Sequence, residues 1–138
     1  HTDDRQRPPT TQTMYEVSVS YTFVAQHYLT VPDPGPEGDL HSHRYEAAIR
    51  LRGESLNEYG YLVDIDDVRD AVDATVSRYR DETLNDLPEF DGRNPSVEHL
   101  AREFCDRVLD RLDAPEATAA ELRLWEDEEA WAAYERPM

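Results

Sequence analysis

The stretch Glu37-Gly38-Asp39-Leu40-His41-Ser42-His43-Arg44-Tyr45-Glu46-Ala47-Ala48-Ile49-Arg50-Leu51-Arg52 decides the fold. From His41 onward it alternates: His41, His43, Tyr45, Ala47, Ile49 and Leu51 fall on one side, and Arg44, Glu46, Ala48, Arg50 and Arg52 on the other. A period of two is the mark of a half-buried strand, and side chains at i and i+2 point to the same face. The pattern predicts a strand over 41–52 that opens with two imidazoles side by side, which is half of a zinc site. Glu37 stands four residues before the first of them.

Upstream, residues 14–27 alternate in the same way. Tyr15, Val17, Val19, Tyr21, Phe23, Ala25 and His27 share one face, and the polar residues take the other. Between the two strands, residues 30–40 hold three prolines and two glycines and read as a loop. Taken alone, His27 reads as a satisfied rim or core histidine. Paired as a hairpin, the two strands place His27, His41 and His43 on one side of the sheet at its loop end. Three histidine ligands with an open fourth position form a catalytic zinc pattern; three histidines on a solvent rim is the competing reading.

Downstream, Asp64 is a helix cap, and Ile65, Val68, Val72, Val76 and Tyr79 follow helical spacing. Residues 81–93 read as irregular. Asn94 as cap with Pro95 at the first helical position opens a second helix, with Val97, Leu100, Ala101, Phe104, Val108 and Leu112 on its buried face. Cys105, the single cysteine, sits beside that face as a packing residue and rules out a disulfide framework or a Cys-x-x-Cys metal site. Residues 119–126 alternate again, a charged turn follows, and a last short strand runs from Trp131 to Glu135. The order strand, strand, helix, helix, strand, strand predicts an α+β domain: a four-stranded antiparallel sheet with both helices on one face. Residues 1–13 read as a disordered tail and 14–138 as a single domain.

Composition narrows the function. There are 31 acidic residues against 14 basic ones, for a net charge of -17, and every basic residue is arginine. Without lysine there is no Schiff-base chemistry and no Walker-type phosphate loop. Without a basic footprint the chain is not read as a nucleic-acid binder. No apolar run reaches membrane-spanning length and no signal-peptide pattern is present, so the expectation is a soluble cytoplasmic protein with no membrane partner. Self-repulsion at this charge is relieved by salt, and the reading is a halophilic protein of a salt-rich cytoplasm. Its melting temperature is expected to rise in molar KCl; a melting temperature indifferent to KCl contradicts that reading.

Six short segments, in order, resemble those of the 6-pyruvoyl-tetrahydropterin synthase and 6-carboxy-tetrahydropterin synthase family. Phe23-Val24-Ala25-Gln26-His27 resembles F-x-A-x-H. Leu40-His41-Ser42-His43 resembles L-H-G-H, and Gly60-Tyr61-Leu62-Val63-Asp64 resembles G-x-V-x-D. Leu84-Asn85-Asp86 matches L-N-D, Asn94-Pro95-Ser96-Val97-Glu98 resembles N-P-T-x-E, and Glu126 with Tyr134 resembles the closing E-T…Y segment. The resemblance implies the tunnelling fold, in which subunits join their sheets into barrels, usually as a dimer of trimers (a homohexamer) with active sites at subunit interfaces. It implies Zn2+ on His27, His41 and His43. It also implies that Glu126 holds the amino-pyrimidine edge of a pterin, a task that suits a carboxylate able to accept from two adjacent N–H groups. An ordinary acid at the end of a strand is the other reading of Glu126.

Two departures bear on the chemistry. Where the family has its catalytic cysteine this chain has Glu37, and where the family has an Asp-His dyad it has Arg80 and Asp81. Ser42 also replaces a glycine. A glutamate-bearing subgroup of the family, with the spacing E-x-x-x-H-G-H, is associated with cleavage of the side chain of 7,8-dihydroneopterin triphosphate to 6-hydroxymethyl-7,8-dihydropterin. Glu37-x-x-x-His41-x-His43 fits that spacing. The expectation is therefore a zinc-dependent lyase with Glu37 as the proton-transfer group and Asp81 as its relay partner. The alternatives are a 6-carboxy- or 6-pyruvoyl-tetrahydropterin synthase and a zinc- and pterin-binding homologue without turnover.

Overall fold

The computed structural model describes residues 13–138. The tail expected over 1–13 lies outside the described residues except for Thr13. Two long strands open the domain, β1 (Tyr15–His27) and β2 (His41–Gly53). Two helices follow, α1 (Ile65–Tyr79) and α2 (Val97–Asp110), and then β3 (Ala119–Trp125) and β4 (Trp131–Pro137). The strands lie in the order β1-β2-β3-β4 and every neighbouring pair is antiparallel. α1 packs on β1 and α2 on β3 and β4. This is the four-stranded sheet with two helices on one face that the sequence predicts.

The register follows from the alternation. Phe23, Ala25, Tyr45, Ala47, Ile49, Leu51, Ala120, Leu122 and Leu124 bury one face of the sheet against Val68, Val72, Val76, Leu100, Phe104 and Val108 of the helices. A one-residue slip would turn that whole set to solvent, so the register is strongly specified. Burial along β1 is uneven. Tyr15 and Tyr21 are exposed, Val17 and Val19 half-buried, and only Phe23, Ala25 and His27 are enclosed. β1 is an edge strand, and the helices cover just its His27 end within one chain.

Local signals account for the helices, with one correction. Asp64 caps α1 as expected, its carboxylate accepting from the Asp66 N–H at 2.8 Å. α2 is capped by Ser96, whose hydroxyl accepts from the His99 N–H, and not by Asn94 with Pro95 at the first turn. Asn94 is taken up elsewhere: its side-chain oxygen accepts from the Thr30 N–H at 2.9 Å. Residues 81–93 are not wholly irregular, since Leu84–Asp86 and Pro88–Phe90 each form a short 3-10 turn.

The second of these turns delivers Glu89 into the seam between the helices. Its carboxylate accepts from Arg78 at 2.7 and 2.6 Å and from the Tyr79 hydroxyl at 2.8 Å, and Arg107 of α2 stands 3.3 Å away. The Arg78 hydrogen bonds hold the Glu89 carboxyl down at about 2, against an ordinary 4.5. Only 6% of this side chain is exposed. Glu89→Gln is therefore expected to lower stability at pH 7 by about 2 kcal/mol, the scale for hydrogen bonds to a charged group, because Arg78 and Arg107 are each more than a third exposed. A depressed carboxyl stabilises the fold fully above its unfolded value and loses that contribution as pH falls toward its folded value. The gap between wild type and Glu89→Gln in urea unfolding should thus be constant above about pH 4.5 and shrink as pH falls toward about 2. A gap independent of pH would mean that the pair contributes nothing through its charge.

Candidate metal centre

The hairpin register builds the centre. His27 pairs directly with His41 across the strands, and His43 pairs with Ala25, one step further along the same face. Directly opposed and diagonal side chains on one face are within reach of each other. The His27 and His41 ring centroids are 4.6 Å apart, His27 and His43 5.0 Å, and His41 and His43 4.9 Å. One ring nitrogen from each lies within 4.8 Å of the other two.

Hydrogen bonding fixes which nitrogen faces inward. His27 Nδ1 is 2.7 Å from the Pro95 carbonyl and His41 Nδ1 is 2.8 Å from the Asp39 carbonyl. A carbonyl only accepts, so each Nδ1 carries the proton and donates, leaving the Nε2 lone pair free. The Nε2 atoms of His27, His41 and His43 are all buried and have no hydrogen-bond partner among the described residues. Burial is the main influence on His27, which is 1% exposed, and it pushes the pKa below the usual histidine value, opposed by the Pro95 carbonyl. Three converging imidazoles with orphaned nitrogens, two of them held from behind by backbone carbonyls, fit a zinc ion both in donor type and in outer hydrogen bonding.

Two carboxylates join the centre from outside the histidine layer. Glu37 lies in a short 3-10 turn, Gly35–Gly38, which starts from a glycine at φ 66°, a conformation that favours glycine. The Glu37 carbonyl accepts from the Leu29 N–H at 2.8 Å, which ties the turn to the segment leaving β1. Two asparagines clamp that segment. Asn85 accepts from the Tyr28 N–H and donates to the Tyr28 carbonyl, both at 3.0 Å, and Asn94 accepts from Thr30. Two of the short segments seen in the sequence, Leu84-Asn85-Asp86 and Asn94-Pro95-Ser96-Val97-Glu98, thus hold the Glu37 loop and His27 in place.

Glu126 follows the last residue of β3, where Trp125 pairs with Trp131 and the Asp127 carboxylate caps a tight turn by accepting from the Glu129 and Ala130 N–H groups. Glu126 Oε1 stands 3.3 Å from His43 Nε2, without hydrogen-bond geometry. Glu37, His43 and Glu126 each place a ligand atom within 4.8 Å of the others. His43 therefore belongs both to the histidine cluster and to the cluster with the two carboxylates.

β2 pairs with β3 only from Glu46 downward, so residues 41–45 have no strand on that side. An open hollow of about 700 Å³ fills the gap, lined among others by Ser42, His43, Arg44, Trp125, Glu126 and Asp127. Arg50 and Arg52 are bound up with Glu16, and Arg93 lies 3.6 Å from Glu103. Arg80 donates to the Tyr21 hydroxyl. Arg44 opens on the hollow and has no ion-pair partner among the described residues.

Asp81 is in neither cluster. It sits just past α1 at φ 62°, exposed, with its N–H donating to the Val24 carbonyl at 2.7 Å. Two groups that touch the centre were not singled out from the sequence. The Pro95 carbonyl could not be recognised there, because Asn94-Pro95 reads as a helix start. Tyr45 was in plain view, in phase with His41 and His43, but its apolar ring reads as core. It is fully buried, its hydroxyl has no partner among the described residues, and its ring lies 5.5 Å from His43. Burial, and after it the charge of Glu126, hold its phenol above the usual range.

The family model for 6-pyruvoyl tetrahydropterin synthase matches residues 16–137. The crystal structure of 6-pyruvoyl tetrahydropterin synthase from Plasmodium vivax superposes with a TM-score of 0.77 at 15% identity, covering 92% of this chain and 100% of that one. The Caenorhabditis elegans 6-pyruvoyl tetrahydropterin synthase gives 0.76 at 15% identity, covering 91% and 97%. An uncharacterized protein from Wolinella succinogenes gives 0.66 at 14% identity, covering 89% and 98%. At these identities the superpositions establish the fold alone, and that fold is the tunnelling fold. The match of the family model over nearly the whole described chain goes further: the protein belongs to the 6-pyruvoyl tetrahydropterin synthase family.

Proposed function

We propose that this protein is a zinc-dependent enzyme that cleaves the side chain of 7,8-dihydroneopterin triphosphate to give 6-hydroxymethyl-7,8-dihydropterin. The observation that carries the reading is the convergence of three buried, unpartnered Nε2 atoms with the carboxylates of Glu37 and Glu126 beside them. His27, His41 and His43 would hold the metal, which supplies Lewis acidity to the oxygens of the substrate side chain. Glu126 accepts from the amino-pyrimidine edge of the pterin, and to do so its carboxylate must leave its present contact with His43.

Glu37 takes the hydroxyl proton at the second side-chain carbon. The bond between the first and second carbons then breaks, and its electron pair stays with the first carbon, conjugated to the ring imine. The second carbon departs as an aldehyde bearing the triphosphate, and the first carbon takes up a proton, which Glu37 can return. A positioned carboxylate contributes typically 10²–10⁴-fold in such a step. Arg44, on the hollow next to His43, is the candidate contact for the phosphates. In the Plasmodium vivax protein a glutamate is described as a catalytic residue and has been replaced by alanine and by cysteine; that supports a carboxylate in this role within the family.

The remaining expectations attach to assembly and setting. Copies of the chain join through their open β1 and β4 edges into a barrel, as a dimer of trimers, and Asp81, exposed beside β1, serves as a relay at such a junction. The acidic excess suits a salt-rich cytoplasm. Among the described residues no helix is long and apolar enough to cross a membrane. The name of the matching family favours one second reading, formation of a 6-pyruvoyl or 6-carboxy product from the same substrate.

Metal removal tests the proposal. Protein stripped by a chelator should turn over no substrate and should regain activity with one zinc per chain. Equal activity before and after stripping refutes a metal-dependent reaction.

A further inference from the structure

Tyr45 is fully buried, and among the described residues its hydroxyl has no hydrogen-bond partner. An unpaired buried O–H destabilises a fold, and such groups call for an explanation. Ring packing alone does not explain it: the Tyr45 ring lies tilted at 5.5 Å from Phe23 and at 5.5 Å from His43, contacts that a phenylalanine would make equally well. Glu126 reaches the same histidine that the Tyr45 ring packs on, with Oε1 3.3 Å from His43 Nε2, and its charge adds to the burial that holds the phenol above the usual range.

We propose that Tyr45 is a positioning residue for Glu126, its hydroxyl donating to the Glu126 carboxylate once that carboxylate has moved from His43 to the ring edge of a bound pterin. The inference rests on the reading of Glu126 as the pterin-binding carboxylate. A carboxylate has about four acceptor positions; two adjacent ring N–H groups use two of them, and the tyrosine uses a third. Glutamate has three side-chain torsions to fix on binding, and a donor rooted in the core fixes them. The hydroxyl that goes unpaired in the free protein is then satisfied only in the complex, which favours the bound state over the free one.

The test is a double-mutant cycle on the full chain loaded with zinc, using 7,8-dihydroneopterin as the probe. Tyr45→Phe is expected to weaken probe binding about tenfold, with zinc content unchanged and the melting temperature of the ligand-free protein unchanged or raised. Glu126→Gln is expected to weaken binding further, and adding Tyr45→Phe to it should cost nothing more. A tyrosine effect that persists in full beside Glu126→Gln overturns the proposal, as does a Tyr45→Phe protein that binds the probe normally or melts lower without ligand. A wild-type protein that holds zinc yet binds no pterin overturns this inference together with the reading of Glu126. A wild-type protein that holds no zinc is a failure of the metal centre itself.

Discussion

Replacing His27 with alanine is expected to lower zinc affinity by more than about 100-fold and to abolish turnover. The bound is conservative, because loss of an outer partner of a metal ligand already costs 10–100-fold. His27 is the most constrained of the three candidate ligands: 1% exposed, last residue of β1, and held at Nδ1 by the Pro95 carbonyl. It has no other buried partner to satisfy, so the loss of function should far exceed the loss of stability. Metal analysis of the purified variant, with circular dichroism to confirm folding, checks this. A folded variant that keeps one zinc per chain would show that the three histidines are not the ligand set. His41→Ala should behave alike, although His41 is less enclosed and rests on the Asp39 carbonyl.

The second large effect is expected at Glu37. Glu37→Gln keeps size and hydrogen-bonding capacity but cannot hold a proton, so kcat should fall by about 10²–10⁴-fold. Zinc content and KM should change little, because the residue sits on its own turn and is not one of the three converging histidines. Steady-state kinetics on the zinc-loaded variant separate these parameters. A kcat within a few-fold of wild type would remove Glu37 from the proton-transfer role. Loss of zinc along with activity would instead make it a ligand.

Much of the centre could be read in the sequence because strand periodicity is a strong geometric rule. The alternation at 14–27 and 41–52, with a proline-rich loop between, brings His27, His41 and His43 to one face if the strands pair as a hairpin, and the observed pairing of His27 with His41 is that hairpin. Glu37 and Glu126 could be placed only through the family pattern, since a loop and a turn have no period. That both reach His43 is a property of the folded chain.

The misread cap of α2 has a physical cause. Asn94-Pro95 and Ser96 are each acceptable helix openings, and the contest was decided by a contact distant in sequence, the hydrogen bond from Thr30 that occupies the Asn94 side chain. The same displacement frees the Pro95 carbonyl to orient His27. Tyr45 was legible as a position and illegible as a role, because only the fold reveals that its hydroxyl lacks a partner. The exposed tyrosines of β1 belong to the same class: the alternation predicts a buried face but does not say which element covers it.

The most direct test of the account is the product. Zinc-loaded protein in high KCl, given 7,8-dihydroneopterin triphosphate, should release 6-hydroxymethyl-7,8-dihydropterin, identified by mass spectrometry and absent with the Glu37→Gln variant. A 6-pyruvoyl or 6-carboxy product would contradict side-chain cleavage while leaving the metal centre standing. Unchanged substrate in the presence of bound zinc would contradict the enzyme reading altogether.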